Sequence, residues 1–216
     1  MLTTDSDIEE YILGHIDKEP DNLHRLYRRV NTELLYSRMC SGHLQGRLLK
    51  MLTRMISPKH VLELGTYAGY SALCIAEGLP DDSCHVDTIE LEDELEDFIR
   101  RAFGESSYGH RIRLHIGDAM QLLPSLLAGN SYGMVYIDAN KRHYVEYYRL
   151  LIDRLPSGAF IIADNTLWDG KVADKTAHHD AQTRGILEFN DLIAADERVE
   201  KVILPLRDGL TLIRKK

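Results

Sequence analysis

The chain has 216 residues, 44% of them hydrophobic and 28% charged, with a formal net charge of -8. That length suits one domain with a substantial core, and the acidic balance leaves no footprint for a nucleic-acid backbone. No window has the apolar length needed to cross a bilayer, the acidic N-terminus lacks the core of a signal peptide, and three cysteines without a CxxC pair read as reduced thiols, so the expected setting is cytoplasmic.

Residues 5–56 read as helical, behind an Asp5-Ser6-Asp7 capping cluster. Three apolar stripes run through them: Ile8, Tyr11, Ile12 and Ile16; then Leu23, Leu26, Tyr27, Val30 and Leu34; then Leu44, Leu48, Met51, Leu52 and Met55. Stripes at helical spacing predict core contacts. A non-periodic break at 37–42 separates the last two. From His60 the pattern changes to alternating strands and helices: strands at 60–64, 84–89, 111–116, 133–137 and 159–163, each followed by a helical stretch. Pro124 is expected to sit near the edge of its helix or to distort it. After a polar loop at 166–177 comes a helix at about 179–195, then two apolar runs joined through Arg207-Asp208-Gly209, a hairpin signal. Five βα units closed by an antiparallel pair imply a doubly wound sheet.

Ligands of such sheets bind outside the carboxyl ends of the strands. Those ends carry Gly65 to Gly69, Glu90, Asp118, Asp138 and Asp164-Asn165. The stretch HVLELGTYAGYS (60–71) reads as strand, glycine turn and helix N-terminus, where a ligand can approach bare backbone. Bulky Tyr67 stands where a pyrophosphate would need glycine, which argues against a dinucleotide and leaves room for a nucleoside. Glu90 falls where a ribose-binding acid is expected, and a carboxylate can accept from two vicinal hydroxyls.

Asp138, Asp164 and Asn165 offer three oxygen ligands suited to a hard cation: magnesium, or calcium or manganese. Asp164 and Asn165 equally fit a capped turn. Lys141 lies three residues beyond Asp138. An unperturbed lysine has a pKa of about 10.4 and is almost wholly protonated at pH 7, but a metal and a cationic cofactor beside it would raise its basic fraction. His115, His143 and the His178-His179 pair show no ligand spacing and read as structural or surface residues. Trp168, the single tryptophan, fits a pocket wall or a packing role.

With these residues in view the chain resembles a known family. VLELGTYAGYS, the acid in TIEL, GDA, DANK and the later DNTLWDGKV are similar to the cation-dependent O-methyltransferases, which include catechol O-methyltransferase, the plant caffeoyl-coenzyme A O-methyltransferases and bacterial relatives. The resemblance covers residues 30–216. It implies an α/β, Rossmann-like class I methyltransferase fold: a seven-stranded, mostly parallel sheet with an antiparallel C-terminal hairpin and helices on both faces. Residues 1–56 would form a helical cap on a 57–216 core within one domain. It also implies S-adenosyl-L-methionine as methyl donor and, commonly, a homodimer. Carried over by motif, Glu63, Gly65, Thr66, Tyr67 and Ser71 would surround the methionine part of the donor, Glu90 its ribose, and Asp118 and Ala119 its adenine. Met39 would lie over it. Asp138, Asp164 and Asn165 would hold the divalent metal, Asp138 would also touch the donor, and Lys141 would be the general base. Asp169 falls where plant-type members place a substrate contact. Relatives often read DADK where this chain has Asp138-Ala139-Asn140-Lys141.

The expected function is a magnesium-dependent O-methyltransferase acting on one hydroxyl of a vicinal aromatic diol, catechol-like or caffeoyl-like. Of the rival readings, a nicotinamide-dependent oxidoreductase is disfavoured by Tyr67. A nucleic-acid methyltransferase is disfavoured by the acidic charge and by the lack of an Asn/Asp-Pro-Pro-Tyr loop.

Overall fold

In the computed structural model, which describes residues 6–174 and 180–216, seven strands form: β1 (His60–Leu64), β2 (His85–Glu90), β3 (Ile112–Ile116), β4 (Met134–Ile137), β5 (Phe160–Asp164), β6 (Val199–Leu204) and β7 (Leu210–Lys215). Asp5 and the His178-His179 pair lie outside the described residues. The sheet order is β3-β2-β1-β4-β5-β7-β6. The first five strands are parallel, and β7 runs antiparallel between β5 and β6. This is the expected seven-stranded sheet with its C-terminal hairpin. The chain leaves β1 toward β2 and β3, then returns to the other side of β1 as β4, so the order reverses between β1 and β4. Strands β1, β4 and β5 are buried along nearly their whole length, hence their continuous apolar runs. Edge strand β3 is half-exposed and alternates instead.

Eight helices are described: α1 (Ser6–His15), α2 (Asp21–Glu33), α3 (Gly42–Ile56), α4 (Tyr70–Gly78), α5 (Glu96–Gly104), α6 (Ala119–Gly129), α7 (Tyr144–Ile152) and α8 (Ala181–Ala195). On one face of the sheet, Leu123 of α6, Tyr144 and Leu151 of α7, and Ile186 and Phe189 of α8 cover Leu62, Leu64, Val135, Ile137 and Ile161. On the other, Leu49 of α3 and Ile75 of α4 cover Val61, Val86, Met134, Tyr136 and Ile162. Helices α2 and α5 add an outer layer through Leu23, Leu26, Val30, Phe98 and Ile99. Each large apolar side chain so buried contributes about 1.5–3 kcal/mol relative to exposure. Among the described residues no helix is long and apolar enough to cross a membrane.

The structure refines the sequence expectations in three places. Leu23, Leu26 and Val30 of the second N-terminal stripe are core, but its Tyr27 is exposed, as are Ile8 and Tyr11 of the first and Met51 and Met55 of the third. The buried face of α3 is instead Gln45, Gly46, Arg47, Leu49 and Thr53. Its cause is a close approach to α4: a Cβ at Gly46 would come within 2.7 Å of the Cys74 Sγ. Arg47 and Lys50 clamp the same pair of helices through Glu77, at 2.8 and 2.7 Å. Of the two placements open to Pro124, the structure has the one inside α6, where it removes one intrahelical donor. The β6–β7 connection is five residues long (205–209), with Arg207 and Gly209 at positive φ.

Candidate functional site

The order reversal between β1 and β4 puts two strand ends side by side. The Asp138 amide donates to the Leu64 carbonyl at 2.9 Å, and the Gly65 amide to the Ile89 carbonyl at 3.0 Å. Gly65 turns away at φ +94, and a Cβ there would overlap the Asp138 carbonyl oxygen. Only glycine permits both the turn and the approach. The next turn residue, Tyr67, is left-handed at φ 50. Its amide donates to Glu90 Oε2 at 2.6 Å, and the Glu92 amide donates to Oε1 at 3.0 Å. Glu90 therefore ties the glycine turn to the end of β2 while keeping lone pairs on both oxygens for further donors.

Beneath this turn lies Glu63, fully buried on β1. The Thr88 hydroxyl donates to its Oε2 at 2.5 Å, and Thr66 meets Thr88 at 2.6 Å. Ser71 faces the same carboxyl, while Oε1 has no close partner. Burial pushes the Glu63 carboxyl up to about 8, against the pull of Ser71 and Thr88 and with a further push from Asp138 and Glu90.

Across the switch point the wall is made of side chains. Lys141, in the short turn before α7, donates to Asp138 Oδ1 at 2.8 Å and sits 5.6 Å from the Tyr144 ring centroid. Helix α8 holds that turn in place, since Gly185 lets it approach the Lys141 and Arg142 backbone. Asp164 ends β5 almost fully buried. Its Oδ1 accepts the Asn165 amide at 2.8 Å, and its Oδ2 accepts from Gln45 at 2.5 Å and from the Tyr136 hydroxyl at 2.9 Å. Burial first, and then the Asp138 charge, push Asp164 up to about 6, against Gln45, Lys141 and Tyr136. Asn165 is left-handed at φ 59, a conformation that asparagine tolerates better than most residues.

A cavity of about 1140 Å³ joins the two sides. Of the residues the sequence predicted for the donor, Met39, Gly65, Thr66, Tyr67, Ser71, Glu90, Asp118 and Ala119 line it. Asp138, Lys141, Asp164, Asn165 and Trp168 line the other part. Asp118 also caps α6, accepting the Met120 amide at 2.9 Å. Trp168 fills both of the roles open to it: it walls the cavity and packs on the core, its indole donating to Thr183 at 3.1 Å.

Two predicted residues fall elsewhere. Glu63 lies under the wall instead of on it, because β1 is covered on both faces. Asp169 lies in a separate depression with Leu167, Val172 and Asp208, because the chain turns left-handed at both Trp168 and Asp169. His143, expected to be structural or on the surface, lines the cavity. His115 is structural as expected, bonded to Asp87 at 2.7 Å. The sequence reading also missed Gln45, Tyr136 and Arg207; the Asp-Gly turn next to Arg207 was the only signal near any of them.

The two groups implied by the resemblance fit these residues. Among the described residues no three His, Cys, Asp or Glu side chains form a metal cluster. Asp138, Asp164 and Asn165 do line one cavity, and two carboxylates with an amide are a hard-cation donor set. Asp138 raises Asp164 by charge alone, so a cation between them would relieve the repulsion. For the methyl donor, the cavity holds a glycine turn and an acid with free lone pairs, within a volume slightly above that of most small-molecule sites.

Comparison with known proteins agrees with this layout. A family model described as O-methyltransferase matches residues 15–216. The chain is 33% identical over 229 residues to a caffeoyl-CoA O-methyltransferase of Petroselinum crispum, covering all of this chain and 92% of that protein. It is likewise 33% identical over 225 residues to tricin synthase 2 of Oryza sativa subsp. japonica, covering all of this chain and 76% of that one. Among solved structures, the O-methyltransferase TomG of Streptomyces achromogenes in complex with SAM superposes with a TM-score of 0.89 at 28% identity, covering 97% of this chain and 96% of that chain.

Proposed function

We propose, for a chain that belongs to the O-methyltransferase family and depends on S-adenosylmethionine, that it methylates one hydroxyl of a vicinal aromatic diol with the help of a divalent cation. Magnesium is the first choice, with manganese or calcium as substitutes. The observation that carries this reading is the meeting of Asp138, Asp164, Asn165 and Lys141 in one cavity with the glycine turn and Glu90. The names of the relatives, caffeoyl-CoA O-methyltransferase and tricin synthase, support an aromatic acceptor.

The chain's own residues divide the work. Glu90, with lone pairs left over from the Tyr67 and Glu92 amides, accepts the ribose hydroxyls. Asp118 and Ala119 flank the adenine, Met39 covers the donor, and Ser71 serves its methionine end. Asp138, Asp164 and Asn165 would hold the cation, which would supply Lewis acidity toward the acceptor hydroxyl. Lys141 takes the hydroxyl proton on Nζ, and the 2.8 Å bond to Asp138 keeps that amine at the metal side of the cavity. Trp168 sets the plane of the acceptor ring. Much of the acceleration is positioning, because donor and nucleophile need only be held about 3 Å apart and in line. Three free, buried cysteines support a cytoplasmic setting, and a homodimer is the assembly that the family resemblance implies.

The test is methyl transfer from S-adenosylmethionine to catechols and caffeoyl thioesters, with and without magnesium. Transfer to diols that stops in excess chelator is expected. Full turnover in chelator would overturn the cation, and the absence of any diol product would overturn the acceptor class.

A further inference from the structure

A polar chain runs from the exposed Arg207 through two buried side chains to Asp164 at the metal side of the cavity. Arg207, in the β6–β7 turn, donates through Nη1 to Gln45 Oε1 at 3.0 Å and also to the carbonyls of Cys40 and Ser41. Arginine can only donate, so the Gln45 atom it meets is the carbonyl oxygen and the amide orientation is set. The Gln45 NH₂ then has two hydrogens to place. One goes to the Tyr136 hydroxyl at 2.8 Å and the other to Asp164 Oδ2 at 2.5 Å. Tyr136, having accepted from Gln45, spends its own hydrogen on the same Oδ2 at 2.9 Å. Gln45 and Tyr136 are 2% and 0% exposed, so water does not compete for these bonds.

The lone pairs of Asp164 can then be counted. A carboxylate has about four acceptor sites. Two on Oδ2 are filled by Gln45 and Tyr136, and one on Oδ1 by the Asn165 amide. One site remains, on Oδ1. Gln45 itself lines no part of the cavity, whereas Asp164 and Arg207 both do.

We propose that Gln45, its amide fixed by Arg207, is a positioning residue for the metal site: with Tyr136 it locks Asp164 so that a single Oδ1 lone pair faces the cation. This rests on the cation reading given above. It assigns no contact with donor or acceptor to Gln45. It also gives Arg207 a task at long range, because the carbonyls of Cys40 and Ser41, the turn before α3 and the metal ligand all hang on one guanidinium.

The experiment uses the full chain, with Mn²⁺ as the metal probe followed by electron paramagnetic resonance and S-adenosylhomocysteine as the donor-site probe followed by calorimetry. Gln45→Met keeps the length of the side chain and removes the donor. It should weaken Mn²⁺ binding by about tenfold to a hundredfold, the usual range for groups that orient a metal ligand, with S-adenosylhomocysteine affinity retained. Tyr136→Phe removes the other donor and keeps the ring. Should Gln45→Met fail to fold, Tyr136→Phe carries the test with a smaller loss of Mn²⁺ affinity, about threefold to tenfold. Wild-type Mn²⁺ affinity in either folded variant overturns the inference, and so does parallel loss of Mn²⁺ and S-adenosylhomocysteine, which would mark general damage to the fold. If the unsubstituted chain binds no Mn²⁺ at a saturable site, the cation reading falls and takes this inference with it.

Discussion

The two sides of the cavity are built by different means. At the ends of β1 and β2 the wall is main chain: Gly65, Tyr67 and Gly69 at positive φ, with the Tyr67 and Glu92 amides gripped by Glu90. At the ends of β4 and β5 it is side chain: Asp138, Lys141, Asp164 and Asn165, steered by groups from α3, β4 and the β6–β7 turn. A wall of main chain tolerates many side chains but not a Cβ at its closest approach. A wall of side chains keeps its backbone through most substitutions and loses its chemistry instead. Damage on the first side should therefore appear as lost folding, and on the second as lost turnover.

The sharpest test of that division is Gly65→Ala. The new Cβ would overlap the Asp138 carbonyl oxygen at a φ of +94. Left-handed strain and overpacking together should cost about 3 kcal/mol or more. Urea unfolding should show the loss; a wild-type midpoint with normal donor binding would break the comparison. Next is Asp164→Ala, which should lower cation-dependent turnover by more than about a hundredfold while S-adenosylhomocysteine affinity stays within a few fold. Calorimetry beside the transfer assay separates the two, and equal loss of both would mean that the sides are not independent. Lys141→Ala should slow transfer by about 10²-fold to 10⁴-fold. The deficit should be steepest at low pH, where the acceptor hydroxyl holds its proton most firmly. An unchanged pH–rate profile would remove Lys141 as the base.

The same division explains what could be read from the sequence. The glycine turn was legible because its parts are local: Gly65, Tyr67 and Gly69 lie within one turn, and Glu90 one βα unit later. The predicted bounds of β1 match the structure for that reason. The metal-side ligands were legible because they end strands. Their support was not. On α3 the helical period was right and the phase only partly so: Leu48 and Leu52 of the predicted face pack against the core, but Met51 and Met55 are exposed and the fully buried positions include Gln45, Gly46 and Leu49. Close packing on α4 through Gly46 turned the helix, and no rule acting within α3 could have said that a glutamine would be buried for the sake of Asp164, 119 residues away. Arg207 read as a turn residue, which it is, and its reach to Gln45 exists only once β7 lies beside β5.

The smallest effect concerns Glu63, a buried carboxyl under the main-chain side. Its folded-state pKa is raised to about 8 from an ordinary 4.5, chiefly by burial. Between those values the folded protein keeps a proton that the unfolded chain has released. Stability should therefore fall as pH rises across that window, by up to about 1.4 kcal/mol per unit, and level off above it. Glu63→Gln keeps the shape and cannot ionise, so its stability should lack this share of the fall over the same range. The two proteins should be closest near pH 5, with the variant pulling ahead toward pH 8, as read from urea midpoints at constant ionic strength. Parallel profiles would mean that Glu63 is already ionised in the fold, held by Thr88 and Ser71. The donor side would then carry a fixed buried charge of its own, and the contrast between a wall of main chain and a wall of charged side chains would have to be redrawn.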